Sequence, residues 1–128
     1  MTDKFTFDQA PFEGIANPWP LDSTYVREVY PAFIGATSSL IVHRITMLWK
    51  MGNRKPVTVN AHEFTQWIGL PHAEKTRQRF GRLHYFRLAQ WDAAQQRLVF
   101  PVCWPNLSEE TLRRAGPLTA NLHDALLA

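Results

Sequence analysis

Cysteine is almost missing from this chain: Cys103 is the single one in 128 residues. No intramolecular disulfide can form, which suits a reducing compartment. Long apolar runs are missing too, and nothing approaches the ~18 consecutive apolar residues of a membrane-spanning helix. The opening MTDKFTFDQAPFEG has no basic stretch followed by an apolar one, so it does not read as a secretory leader. Together these absences set the expectation of a cytoplasmic protein with no membrane association. Glycine is sparse, at six residues, and forms neither a GxGxxG nor a phosphate-binding loop.

Catalytic patterns are lacking as well. His62-Glu63 starts like a zinc-protease motif, but that motif needs a second histidine where Gln66 stands. The remaining histidines, His43, His72, His84 and His123, have no metal-type spacing. Cys103, between Val102 and Trp104, reads as a small buried hydrophobe. Glu109-Glu110 reads as favourable charge at a helix start rather than an acid/base pair. The expectation is a protein that is not an enzyme, with no cofactor and no metal.

What the chain does contain is enough apolar material for one core. Hydrophobic residues make up 45% and aromatics 12%, with five Trp and eight Phe. Net charge is a modest +3, unevenly spread. Residues 40–100 hold ten Lys/Arg and three acids, a formal +7, while the flanks hold four and eight, a formal −4. A basic segment of this kind attracts phosphate backbones, although a solvated basic face with no partner has the same composition.

Residues 1–36 form a Pro- and aromatic-rich arm. Pro11, Pro18, Pro20 and Pro31 exclude a long helix, leaving one short helix over Leu21–Tyr30 with Asp22 or Ser23 as its cap. The aromatics Phe5, Phe7, Phe12, Trp19, Tyr25, Tyr30 and Phe33 are too many for a solvated tail. The favoured reading is an arm that covers the core. The sharper one is an arm that packs on a second subunit or a protein partner.

Residues 37–128 are expected to form the domain proper. Thr37 or Ser38 would cap a first helix, with Leu40, Ile41, Ile45, Leu48 and Trp49 at helical spacing and Gly52-Asn53 at its end. Val57–Val59 is β-prone. Asn60, with Glu63 three residues on, would cap a second helix, and Gly69-Leu70-Pro71 would turn the chain into a third over residues 73–87. On that third helix Lys75, Gln78, Arg79 and Arg82 share one side, while Thr76, Phe80 and Leu83 can face the core. Two β-prone runs around residues 92–96 follow as a hairpin, with Arg97 on its tip side. Two short helices end the chain, the first capped by Asn106 or Ser108 and stopped by Gly116-Pro117. The leucines of the second either complete the core or form a homodimer contact.

Helix, turn, basic helix and hairpin is the element order of a winged helix-turn-helix. The expected fold class is therefore mainly α with a small β-hairpin, carrying an N-terminal aromatic arm and C-terminal helices. Residues 33–120 also resemble the small winged-helix proteins common in actinobacteria and their mobile elements. That resemblance rests on FIGATSSLIVHRI, HEFTQWIGLP, RFGRLHYFRLAQWD and WPNLSEETLRRAGPL. It implies the winged helix-turn-helix fold.

The expected function is DNA binding by a small transcriptional regulator or accessory factor, with double-stranded DNA as partner. Lys75, Gln78, Arg79 and Arg82 would enter the major groove, and Arg54, Lys55 and Arg97 would hold phosphates. The alternative is a protein-interaction module using the same fold and the aromatic arm.

Overall fold

The computed structural model describes residues 3–12, 17–53 and 55–128. Its organising element is the first strand, β1 (Lys4–Gln9). Phe5 and Phe7 alternate with Thr6 and Asp8, so one face of the strand is apolar and the other polar. The chain then passes through β2 (Trp19–Pro20), α1 (Thr24–Glu28), α2 (Pro31–Ile34) and the long α3 (Ala36–Gly52). Next come β3 (Val57–Asn60), α4 (Ala61–Trp67), α5 (Ala73–Tyr85), β4 (Gln90–Asp92) and β5 (Arg97–Phe100). Strand β6 (Cys103–Trp104) and helices α6 (Glu109–Ala115) and α7 (Pro117–Leu127) complete it.

The main sheet is four-stranded in the order β3-β1-β5-β4. β1 runs antiparallel to β3, with Phe5 opposite Val59, and parallel to β5, with Phe7 opposite Leu98. β4 and β5 form an antiparallel hairpin. A second, two-stranded sheet pairs β2 with β6.

This architecture corrects the expected fold class. The chain is about 53% helical and 17% strand, with a mixed sheet rather than a mainly α body bearing one small hairpin. The physical reason lies in the first residues. The segment expected to be an arm supplies an interior strand whose amides and carbonyls are paired on both sides. The Thr6 amide donates to the Gln96 carbonyl at 3.0 Å and the Ala10 amide to the Phe100 carbonyl at 2.9 Å. Phe5 and Phe7 are fully buried. Phe5 meets Phe80 edge-on at 5.0 Å, and Phe7 lies 4.9 Å from Phe64, so β1 joins α4 and α5 to the sheet through aromatic packing.

Local signals explain most helix ends. Ser23 caps α1, Asn60 caps α4 by accepting the Glu63 amide at 2.9 Å, and Ser108 caps α6 by accepting the Thr111 amide at 3.1 Å. Asn53, with φ of 49°, closes α3 in the left-handed conformation. Two details differ from expectation. α3 starts after Gly35 with no side-chain cap, so neither Thr37 nor Ser38 caps it. Pro31 does more than stop α1; it opens α2 at the first helical position. Helix α5 runs unbroken through Gly81.

The C-terminal helices are tied to the N-terminal third by buried polar contacts. The Tyr25 hydroxyl is 2.6 Å from His123 Nδ1 and accepts the Leu107 amide at 2.9 Å. The Tyr30 hydroxyl donates to the Pro105 carbonyl at 2.6 Å. Burial pushes both tyrosine hydroxyls above their ordinary range, so they stay protonated and available as donors.

Two stability outcomes are expected. Replacing Phe7 with Ala should cost about 3–5 kcal/mol, the usual loss for a buried phenylalanine, and should be read as a lower urea midpoint. That is a large part of the ~5–15 kcal/mol that holds a domain together. Replacing Gly81 with Ala should instead raise stability by about 0.4–1 kcal/mol, because the backbone there is helical and an added Cβ would meet nothing within 4 Å. A thermal melt checks the second, and an unchanged or lower midpoint would contradict it.

Candidate nucleic-acid interface

Helix α5 is fixed from behind. Thr76, Phe80 and Leu83 are buried, and the Thr76 hydroxyl shares a 2.8 Å hydrogen bond with that of Thr65 on α4. Gly69, at φ of 78°, makes the turn between the helices, and the Leu70 amide donates back to the Thr65 carbonyl at 3.1 Å. The lock on one side determines what the other side presents. Lys75, Gln78 and Arg82 are exposed and Arg79 is half-exposed, along a single stripe.

The cations elsewhere in the basic segment are mostly engaged. Arg77, on the back of α5, pairs with Asp3 and with Glu74 at 3.6 Å, donates to Gln96 at 2.6 Å, and lies 5.6 Å over the Phe5 ring. Arg97 pairs with Asp8 of β1. Lys55 donates to Gln9, also of β1, and sits 5.0 Å over Trp49. Arg44 stacks on Trp67 at 4.7 Å. Lys50 pairs with Asp22 at 3.0 Å. Among the described residues, no carboxylate pairs with Lys75, Arg79, Arg82 or Arg87. Arg82 has only the Phe86 ring, at 6.0 Å.

The seven residues singled out from the sequence therefore divide. Lys75, Gln78, Arg79 and Arg82 come together on one helix. Arg97 opens β5 opposite Asp92 and is only part-exposed, its charge taken up by Asp8, so it is not a free cation at a hairpin tip. Lys55 remains exposed but is turned towards β1. Arg54 lies outside the described residues. Sequence reasoning missed the acidic side of this arrangement, namely Asp3 and Asp8 on β1. The alternating KFTFD pattern was the available signal.

The aromatic arm does not offer the partner surface envisaged for it. Tyr25 is fully buried, and Trp19 stacks on it at 4.4 Å with the rings 5° from parallel. Cys103 is half-buried on β6, opposite Pro20, and not a core residue. A cleft of about 530 Å³ lies between β1, β2 and the C-terminal end of α3, beside Trp49, Lys50 and Lys55, and takes no residue from α5. Among the described residues, no cluster of His, Cys, Asp or Glu is arranged to hold a metal ion. No helix among them is long and apolar enough to cross a membrane.

The Asp3 carboxyl is held below the usual carboxylate range, first by its hydrogen bond from Gln96 and then by Arg77. A depressed folded-state value means that the contact stabilises the fold above the unfolded pKa of about 3.9 and is lost as pH falls through the lower folded value. Wild type should therefore be more stable than Asp3→Asn at neutral pH, with the difference shrinking on acidification. Urea titrations across the acid range check this, and a pH-independent gap would contradict it. Compared with known proteins, the chain matches no family model, no curated protein and no solved structure.

Proposed function

We propose that this chain binds double-stranded DNA through α5, as a small transcriptional regulator or accessory factor working in the cytoplasm. One observation carries the reading: the cations left without carboxylate partners gather as Lys75, Arg79 and Arg82 on the outer side of one rigidly backed helix. Random scatter of basic residues does not require acids from a distant strand to neutralise the neighbours and leave one stripe positive. A 13-residue α-helix is about 20 Å long, which matches an element that lies in a major groove. Gln78, inside the stripe, has the amide that pairs bidentately with adenine, and Arg79 and Arg82 have the fork that pairs with guanine.

The proposed division of labour follows from side-chain chemistry. Lys75 acts as a flexible point charge on a phosphate, while Gln78, Arg79 and Arg82 reach base edges. Arg87 follows the helix with positive φ of 60° and adds a further exposed cation beyond its C-terminus. Arg97 and Lys55 hold β1 in place rather than hold DNA. The reading assigns no catalytic step and no cofactor to the chain.

Changing Lys75, Arg79 and Arg82 together to Ala should weaken duplex binding at low salt. It should also flatten the dependence of log K on log salt by about 0.9 for each lost phosphate contact, up to ~2.7 for three. A fluorescence-anisotropy titration at several salt concentrations measures both. Absence of wild-type binding to any duplex at low salt would overturn the proposal. So would a triple variant with an unaltered salt slope.

A further inference from the structure

Two residues on α5 lack a structural explanation. Gly81 lies inside the helix, where glycine lowers helix stability relative to alanine. Its backbone is helical, so no left-handed turn requires glycine, and a Cβ would meet nothing within 4 Å, so no packed neighbour does either. Tyr85 is 79% exposed although it carries a large apolar ring. These two positions are linked by the helix geometry. Gln78, Gly81 and Tyr85 follow one another at spacings of three and four, so they form a second row directly beside Lys75, Arg79 and Arg82. The row has a long amide, then a gap with no side chain, then an upright aromatic ring with a hydroxyl at its tip.

We propose that Gly81 and Tyr85 form a notch that receives one sugar–phosphate strand of the bound duplex. This inference rests on the DNA-binding reading and states which part of the DNA meets which part of α5. The bare backbone at Gly81 lets the strand approach the helix more closely than any side chain would allow. Tyr85, about 6 Å further along the axis, walls the notch. Its ring packs on a deoxyribose, and its hydroxyl donates to a phosphate oxygen. Lys75, Arg79 and Arg82, on the neighbouring row, supply the charge that draws the strand in. Phe86 supports the wall, its ring 5.4 Å from that of Tyr85 and 4.8 Å from Phe33 on α2.

The notch makes stability and binding move in opposite directions at one residue. Gly81→Ala is expected to fold at least as stably as wild type and yet bind a random duplex of about two helical turns (~20 bp) several-fold more weakly. Gly81→Gln, with a longer side chain, should bind more weakly still. Tyr85→Phe, which removes only the hydroxyl, should lose up to about tenfold, the worth of one hydrogen bond to a charged acceptor, without changing the salt slope. Thermal melts alongside the titrations show that each variant is folded. If wild type binds duplex while Gly81→Ala, Gly81→Gln and Tyr85→Phe bind equally well, the notch is overturned and the DNA reading stands. If wild type binds no duplex, the DNA reading falls and the notch falls with it.

Discussion

The structure depends on the insertion of β1 between β3 and β5. Strands β3 and β5 belong to stretches of chain about forty residues apart, and β1 is the element that hydrogen-bonds to both. Its inner face contributes Phe5 and Phe7 to the aromatic cluster with Phe64, Phe80 and Trp91. Its outer face and ends contribute Asp3, Asp8 and Gln9, which engage Arg77, Arg97 and Lys55. One strand thus closes the sheet, anchors α4 and α5, and decides which cations remain unpaired. Parallel pairing of β1 with β5 closes a loop of nearly ninety residues, so the contact is non-local and forms against a large entropic cost.

That non-locality explains what could and could not be read from the sequence. The parts set by local chemistry were legible: Asn60 as a cap, Gly69 as the turn, Asn53 as a helix end, and the buried face of α5 at Thr76, Phe80 and Leu83. The hairpin was legible too, and its glycine-free turn is resolved by Gln96 at φ of 50°. The role of β1 was not. Four prolines and a high aromatic content favour an arm, and the alternation in KFTFD says that a strand can form without saying where it pairs. The fold class followed that error, because moving six residues from an arm into the sheet turns a small hairpin into a mixed four-stranded sheet.

The candidate site was legible to the extent that it is helical. A 3.6-residue period places Lys75, Gln78, Arg79 and Arg82 together whatever the tertiary fold. Whether a cation is paired depends on residues distant in sequence, and Asp8 lies 89 positions from Arg97. The burial of Tyr25 also depends on distant residues, through His123 and the amide of Leu107. Both are tertiary facts, and both redistribute function away from the first third of the chain and towards α5.

The central claim is that the outer face of α5, and not the cleft beside α3 or the N-terminal strand, meets nucleic acid. A backbone NMR titration with short duplex DNA at low salt tests it most directly. The account predicts amide shift changes concentrated over residues 75–87, with β1 and α7 little altered. Changes centred on Trp49, Lys50 and Lys55, or no changes at any DNA ratio, would contradict it.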